Sequence, residues 1–278
     1  MPESGREEQL WLAACRRASD RIATLLAGMA PTVRAEQLTV GAGGDTTLRV
    51  DHEAESIVID ELAATGLGFR LMSEEAGDLE VNGGGRWLVV LDPIDGSLNA
   101  GRGMTPFATA LAFADGETMD DVRVAFVADH GTGERFEASA GGGALVDGRP
   151  VATAAPDGGP VLVLIEGALP HRVRHAARVF EGHIGRVRAV GSLALSLCYV
   201  AAGRGDAMVG LGPGRAVDVA GAQLFAREAG LLVGMPRPAD VASAPLDLTT
   251  RRTIAAARDE RLLELMLEAL LPEELVGG

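Results

Sequence analysis

The sequence predicts an α+β N-terminal half followed by an α/β C-terminal half, and three observations support this. Up to about residue 151, short apolar strands follow one another with Gly and Asp between them, which is typical of antiparallel connections. From residue 161 onward, strand-like and helical segments alternate, which is typical of a sheet covered by helices. Between these regions, residues 154–160 are rich in Pro and Gly. We therefore predict halves at 1–155 and 156–278.

The N-terminal half is predicted to begin with helices and to continue mainly as strands. Apolar residues recur at three- and four-residue steps in 6–29 and 51–65, which predicts two amphipathic helices, and Pro31 ends the first. Residues 87–91 are uninterrupted apolar residues, which predicts a strand buried on both faces. The other predicted strands are 33–40, 69–72, 107–113, 122–127 and 134–138. The intervening segments are expected to be a loop at 76–86 and turns at 141–143 and 147–148.

The C-terminal half is predicted to alternate between strands and helices. Its predicted strands are 161–165, 186–190, 207–209, 231–233 and 253–257. Its predicted helices are 171–180, 192–202, 217–229 and 259–271. Gly230 directly follows the third of these helices, as expected where a helix ends.

The charge and composition of the 278 residues exclude several classes of protein. All 25 basic residues are arginine, so no lysine is present for a Schiff base or a P-loop. The net charge of −14 argues against binding to nucleic acid or to an anionic membrane. We see no apolar run long enough to span a membrane and no signal-peptide pattern, so we expect a cytoplasmic protein. Cys15 and Cys198 are expected to be free thiols.

The sequence Asp-Pro-Ile-Asp-Gly-Ser directly follows the strand that is predicted to be buried. It delivers the carboxylates of Asp92 and Asp95 at the strand end and exposes the carbonyl of Ile94. Gly96 leaves room for a ligand, and Ser97 can open a helix whose free N–H groups bind phosphate. Together these groups predict a site for a hard cation that bridges to a phosphoester. The simpler alternative is an Asp-Pro turn in which Asp95 caps the helix.

Three further acidic residues lie where predicted elements begin or end. Glu74 follows the strand 69–72, and Asp51 opens the second helix. Asp218 lies within an apolar helical run, where a carboxylate must be capped, paired or bound to a metal. Taken singly, Glu74 is more often a solvated residue at a helix start and Asp51 is more often a helix N-cap, whereas for Asp218 N-capping and metal ligation are about equally favoured. Their combination with the motif at 92–97 favours a metal site.

This set of motifs resembles the inositol monophosphatase-like family of metal-dependent phosphatases. The family pattern Asp-Pro-[Ile/Leu]-Asp-Gly-[Ser/Thr] corresponds to 92–97, its glutamate pair to 74–75, and its early aspartate to Asp51. A downstream box contains Asp218, preceded by Val instead of the usual Trp. The matching motifs occur in order between about residues 40 and 230, and they are most similar to the archaeal type that acts on fructose 1,6-bisphosphate and inositol phosphates.

The resemblance implies a layered α/β/α/β/α sandwich with the active-site cleft between the two halves, and a homodimer. It also implies a Mg²⁺-dependent phosphomonoesterase that hydrolyses a small phosphorylated sugar or polyol by attack of water. Inositol 1-phosphate and fructose 1,6-bisphosphate are the expected substrates, and Li⁺ is an expected inhibitor.

The resemblance further implies roles for individual residues. Two to three Mg²⁺ ions would be held by Glu74, Asp92, the Ile94 carbonyl, Asp95 and Asp218. Asp51 and Ser97 would orient the attacking water and take its proton, while Glu74 would also reach a third ion through water. The expected substrate-binding residues are Asp95, Gly96, Ser97, Arg188, Gly191, Ser192 and Arg215. The two arginines are included because guanidinium groups suit phosphate and sugar oxygens.

Two other functions remain open from the sequence. The same site could hydrolyse a nucleotide, either 3′-phosphoadenosine 5′-phosphate or NADP, although two Trp and one Tyr supply few side chains for stacking a base. The glycine-rich segments at 41–44 and 210–214 could instead form a non-catalytic dinucleotide-binding module. The first lacks the Gly-x-Gly-x-x-Gly spacing, and the second lacks the acidic residue expected downstream.

Overall fold

The computed structural model describes residues 3–44, 46–151, 161–236 and 240–271. The described helices are α1 (Glu3–Gly28), α2 (Pro31–Arg34), α3 (Arg49–Ala63), α4 (Ser97–Arg102), α5 (Pro170–Phe180), α6 (Leu193–Ala201), α7 (Ala216–Glu228) and α8 (Glu260–Glu268). The strands of the first half are β1 (Gln37–Val40), β2 (Thr46–Leu48), β3 (Phe69–Ser73), β4 (Gly77–Val81), β5 (Trp87–Asp95), β6 (Ala108–Ala114), β7 (Val122–Asp129), β8 (Arg135–Ser139), β9 (Gly143–Val146) and β10 (Arg149–Val151). The strands of the second half are β11 (Leu162–Glu166), β12 (Arg186–Arg188), β13 (Ala207–Gly210), β14 (Leu232–Gly234) and β15 (Ala255–Ala257).

Strands β3 to β10 form an eight-stranded sheet in the order β10-β9-β8-β7-β6-β5-β3-β4. Every residue of β5, which is parallel to β3 and antiparallel to β6, is buried. Val89 and Leu91 of β5 pack in a core with α1 and α3, whereas Leu88 and Val90 pack in a core with α6 and α7. Side chains alternate along a strand, so a strand between two layers of helices is apolar throughout. This confirms the predicted burial of 87–91 on both faces.

The second sheet has five strands in the order β12-β11-β13-β15-β14. Strand β11 is parallel to β12 and β13, and β15 is antiparallel to β13 and β14. Leu164 and Met208 pack with α6 and α7, whereas Val163 and Val209 pack with α5 and α8. The layers are therefore α1 with α3, the first sheet, α6 with α7, the second sheet, and α5 with α8. This is the predicted α/β/α/β/α sandwich.

The structure differs from the sequence prediction in two segments, at 33–40 and at 76–86. The predicted strand 33–40 begins within α2, because Pro31 suits a first helical turn, where its missing N–H costs nothing. The predicted loop 76–86 contains β4, which pairs antiparallel with β3. The turns predicted at 141–143 and 147–148 are present: the first leads into β9, and the second is the loop of the hairpin that β9 forms with β10. Its two loop residues, Asp147 and Gly148, have φ of 48° and 74°, and the Asp-Gly pair is the usual signal for such a loop.

The predicted boundary at 154–160 lies outside the described residues, and the division at 155/156 remains a prediction. The eight-stranded sheet is built from strands before it, and the five-stranded sheet from strands after it. Helices α6 and α7 belong to the second half but share a core with strands of the first half. Among the described helices, none is both long and apolar enough to cross a membrane.

Candidate metal centre and active site

A β-bulge at the end of β5 brings two aspartates to the same side of the sheet. Asp92 is opposite Ala110 of β6 and Asp95 is opposite Ala108, so three residue steps on β5 match two on β6. In a regular strand, residues three apart point to opposite faces, and one extra residue returns them to the same face. Both aspartates accordingly line one cleft.

Two buried side chains hold this bulge from β6 and from the end of β7. The Thr109 hydroxyl donates to the carbonyl of Pro93 at 2.8 Å, which satisfies an acceptor at the irregular point of the ladder. Nε2 of His130 lies 2.8 Å from the same hydroxyl oxygen, so it must be the donor in that contact. Burial lowers the pKa of His130 to about 4, which keeps the ring neutral. Neither residue is part of a motif visible in the sequence.

The acid cluster consists of Glu74, Asp92 and Asp218, whose carboxylate oxygens lie within 4.8 Å of one another. Glu74 and Asp92 follow paired residues of two parallel strands, because Ser73 of β3 is opposite Leu91 of β5. Side chains at the carboxyl ends of neighbouring parallel strands converge at one edge of a sheet. Asp218 arrives from the first turn of α7, which lies on the other side of the cleft.

Asp218 caps a helix and also belongs to the acid cluster. Its Oδ2 accepts a hydrogen bond of 2.7 Å from the backbone N–H of Arg215, as a capping carboxylate does. One of its carboxylate oxygens also lies within 4.8 Å of carboxylate oxygens of Glu74 and Asp92. The two interpretations of this residue that the sequence left open are therefore compatible.

The acid cluster concentrates negative charge away from water. Burial, with the neighbouring charges of Glu74 and Asp95, raises the pKa of Asp92 well above its usual range. Burial also raises the pKa of Glu74 to about 7, against the opposing effect of Arg215. The buried Oδ1 of Asp92 has no hydrogen-bond partner among the described residues. Hard oxygen donors with an unpaired buried oxygen are what a small divalent cation prefers, so these residues fit Mg²⁺.

Arg215 lies against the acid cluster rather than free in the cleft. Its Nη2 is 2.5 Å from Glu74 Oε1 and 3.6 Å from Asp218 Oδ1. A side chain at Gly43 would collide with this guanidinium, so the glycine loop between β1 and β2 makes room for it. The sequence predicted that Arg215 contacts substrate; in the structure its guanidinium forms ion pairs with the metal-ligand candidates Glu74 and Asp218.

The structure does not bring Asp95 into the acid cluster. Its Oδ2 accepts hydrogen bonds from the Ser192 hydroxyl at 2.6 Å and from the N–H of Ala194 at 2.7 Å, and its Oδ1 accepts one from the N–H of Leu193 at 3.3 Å. Asp95 thus ties the bulge of β5 to the start of α6. A carboxylate offers about four lone-pair positions, so these three bonds leave room for one further contact.

Asp51 and Ser97 form a hydrogen-bonded pair next to the cleft. The Ser97 hydroxyl is 2.9 Å from Asp51 Oδ1 and 2.8 Å from the carbonyl of Ile94, and its single proton can satisfy only one of them fully. The N–H of Leu48 fixes the other oxygen of Asp51 at 2.8 Å. Burial raises the pKa of Asp51 to about 6. The pair predicted from the sequence is present.

The cleft has a volume of about 360 Å³ and collects most of the predicted site residues. Those that line it are Glu74, Asp92, Ile94, Asp95, Gly96, Ser97, Gly191, Arg215 and Asp218. Ser192 is buried behind it and bonds Asp95. Arg188 is not among the residues that line it: it lies on the exposed edge strand β12 and donates to the carbonyl of Val187.

Two charged residues that line the cleft were missed in the sequence. Glu166 ends the parallel strand β11, and its carboxylate accepts hydrogen bonds from the N–H groups of Val190 and Gly191 at 3.0 and 2.9 Å. A carboxylate at the end of a parallel strand is a signal that could have identified it. Arg172, in the first turn of α5, has no comparable signal in the sequence.

The layered sandwich and the carboxylates that converge beside its cleft match a family of phosphatases. The model of the inositol monophosphatase family matches residues 7–273, and the chain belongs to this family of phosphatases. It is 30% identical to a fructose-1,6-bisphosphatase/inositol-1-monophosphatase from Methanothermobacter thermautotrophicus, covering 94% of this chain and 96% of the relative. It is also 31% identical to the Nus factor SuhB of Escherichia coli, covering 78% of this chain and 82% of SuhB.

A comparison with solved structures gives the same relationship to this family. A crystal structure described as an inositol monophosphatase–fructose 1,6-bisphosphatase superposes with a TM-score of 0.79 at 26% identity, covering 94% of this chain and 99% of that one. The layered architecture expected from the sequence is therefore that of the family.

Proposed function

We propose that the protein is a Mg²⁺-dependent phosphomonoesterase acting on a small phosphorylated sugar or polyol, with inositol 1-phosphate and fructose 1,6-bisphosphate as substrates. The observation that carries the proposal is the convergence of Glu74, Asp92 and Asp218, from three separate elements, to within 4.8 Å. The relative from Methanothermobacter thermautotrophicus is named for both activities, which supports this choice of substrates.

The residues of the acid cluster, with the Ile94 carbonyl, would hold the metal. When bound, Mg²⁺ supplies positive charge that lowers the pKa of a water molecule and stabilises the leaving oxygen. The net charge of −14 repels a phosphorylated substrate, so a local excess of positive charge is needed at the site. Gly96 and Ser97 line the cleft next to the metal-ligand candidates and would contact the phosphoryl group.

Asp51 and Ser97 would handle the proton of the attacking water. A buried carboxylate whose pKa is about 6 is a better proton acceptor near neutral pH than an exposed one. The N–H of Leu48 holds Asp51 in place, and the Ser97 hydroxyl, which bonds Asp51, would connect this carboxylate to the attacking water. Proton transfer is therefore assigned to this pair.

The proposal includes the remaining features that the resemblance implies. These are a second ion shared by Asp92, Asp95 and Asp218, a weaker third ion, substrate contacts from Gly191 and Ser192, inhibition by Li⁺, a homodimer and a cytoplasmic location. Asp95 has one lone-pair position left for such an ion. Arg188 does not line the described cleft and is not included among these contacts.

A nucleotide substrate is a weaker alternative. No aromatic side chain lines the described cleft, so a base would have nothing to stack on. The glycine-rich segments do not favour a dinucleotide-binding module either. The N–H of Gly43 bonds the carbonyl of Glu74, and the segment 210–214 contributes glycines to the same cleft.

A phosphate-release screen tests the proposed function. Purified protein is incubated with inositol 1-phosphate, fructose 1,6-bisphosphate, NADP or 3′-phosphoadenosine 5′-phosphate, with Mg²⁺ or with EDTA. We expect release from the first two only, and only with Mg²⁺. Release from the nucleotides at a higher kcat/KM, or equal release in EDTA, would contradict the proposal.

A further inference from the structure

We propose that Arg172 binds a second anionic group of the substrate, so that the cleft prefers a sugar or polyol with two phosphoryl groups over one with a single phosphoryl group. The inference rests on the proposed phosphatase function and narrows its substrate class. Arg172 lines the same cleft as the acid cluster but belongs to none of the motifs at 74–75, 92–97 or 216–221.

The surroundings of Arg172 leave its charge available. Its side chain is partly buried, and its Nη1 lies over Gly212, where any side chain would collide with it. Among the described residues it forms no ion pair, whereas Arg215, the other arginine of the cleft, contacts Glu74 and Asp218. A guanidinium in a cleft is best stabilised by an oxyanion that accepts two of its N–H groups, and a phosphoryl group does this.

A glycine-rich segment of the cleft runs from Arg172 toward the acid cluster. The segment 210–214 has the sequence Gly-Leu-Gly-Pro-Gly, and Leu211 faces a neighbouring cavity instead of the cleft. Gly212 lies under Arg172, while a Cβ at Gly214 would be 3.1 Å from Asp218 Oδ2.

This arrangement assigns the two ends of a bisphosphorylated substrate. The phosphoryl group that is cleaved lies at the acid cluster, and the other lies at Arg172, with the sugar over the glycines between them. Glycines at 210, 212 and 214 leave the floor without side chains that would block the ring. The exposed Arg188 does not line the described cleft and is not needed for this contact.

The test compares two substrates that differ only in the far group, fructose 1,6-bisphosphate and fructose 1-phosphate. In Arg172→Gln, we expect kcat/KM for the bisphosphate to fall about 10- to 100-fold, as for loss of a charged hydrogen-bonded contact. The value for the monophosphate should stay within about 2-fold. Arg174→Gln is the matched control, because Arg174 is exposed on the same helix and does not line the cleft. Arg172→Lys should restore part of the preference.

An equal loss for both substrates in Arg172→Gln, or no loss for either, would overturn the inference. If the wild-type protein turns over neither substrate, calorimetric titration of the same two ligands replaces the kinetics. Tighter binding of the bisphosphate that disappears in Arg172→Gln would then support the role of Arg172 while the proposed function fails. Binding of neither ligand, or binding independent of Arg172, would overturn the inference as well.

Discussion

At the residue scale, three carboxylates form the proposed metal centre. Glu74, Asp92 and Asp218 are each unremarkable in their own segment, and each also satisfies a local structural role at a strand end or a helix start. What distinguishes them is that the fold buries them together, which raises the pKa of Asp92 and Glu74. Such a group is unstable without compensating positive charge.

Asp92→Asn tests this interpretation. We expect the substitution to remove the Mg²⁺-dependent rise in melting temperature and to lower kcat by at least about 10³-fold, because a neutral amide oxygen is a poor ligand for Mg²⁺. Without metal, the variant should be more stable than the wild type, since one buried charge is removed. Melting curves with Mg²⁺ and with EDTA, together with phosphate release, measure both effects.

Asp60→Asn is the control for this substitution, because Asp60 is an exposed aspartate on α3 outside the cleft. Its activity and its Mg²⁺ response should match those of the wild type. An Asp92→Asn variant that keeps a wild-type Mg²⁺ response would remove Asp92 from the metal site.

At the scale of elements, the bulge in β5 decides where the ligands point. The apolar run 87–91 and the acids after it can be predicted from the sequence, because burial and residue type are local properties. The bulge cannot, because it depends on pairing with β6, and neither can its support by Thr109 and His130. The convergence of Asp218 and the position of Arg172 likewise depend on how α7 and α5 pack against the sheets.

The same distinction between local residue properties and pairing with distant strands explains where the sequence prediction was wrong. Strands β4 and β9 are short and partly exposed, so their apolar pattern is weak, and pairing with a neighbouring strand decides their conformation. Arg188 follows a plausible strand, but that strand is at the edge of the second sheet and its arginine is exposed. The type of each ligand was predictable, whereas its neighbours were not.

Thr109→Val tests the support of the bulge. The substitution keeps the shape but leaves the Pro93 carbonyl without its donor, so we expect the free energy of unfolding to fall by about 1–3 kcal/mol. We also expect a higher Mg²⁺ concentration for half-maximal activity, since Asp92 and Asp95 would be held less firmly. Chemical denaturation and a Mg²⁺ titration measure these effects.

Thr109→Ser keeps the hydroxyl and should retain the wild-type Mg²⁺ midpoint, which separates the hydrogen bond from the loss of a methyl group. If Thr109→Val lowers stability but leaves the Mg²⁺ midpoint unchanged, Thr109 is structural and does not position the metal ligands.

At the scale of the whole molecule, buried acids make stability depend on pH and on metal. Burial raises the pKa of Asp51 to about 6 and those of Glu74, Glu75 and Asp95 to about 7 in the folded protein. In the unfolded chain the same groups titrate near 4. Between these values the folded state binds more protons at these four groups, so their contribution to stability is fully present below about pH 4 and is lost as the pH rises through about 7.

We therefore expect the metal-free protein to melt at a lower temperature at pH 8 than at pH 6. Mg²⁺ competes with protons for these groups, so the rise in melting temperature that it causes should be larger at pH 8. Repulsion within a chain of net charge −14 also makes the folded protein less stable at higher pH. That repulsion does not depend on Asp92 in particular, so Asp92→Asn should still lose most of the Mg²⁺ effect at both pH 6 and pH 8. A Mg²⁺ effect larger at pH 6 would contradict the assignment.

The central claim is that acids from separate elements converge to hold divalent cations, and anomalous diffraction from a crystal soaked in Mn²⁺ tests it most directly. Mn²⁺ accepts the same oxygen ligands as Mg²⁺ and gives a signal that identifies the ion. We predict an anomalous peak within bonding distance of carboxylate oxygens of Glu74, Asp92 and Asp218, with the Arg215 guanidinium displaced from Glu74. A fully occupied Mn²⁺ site elsewhere, with no peak among these three residues, would contradict the account.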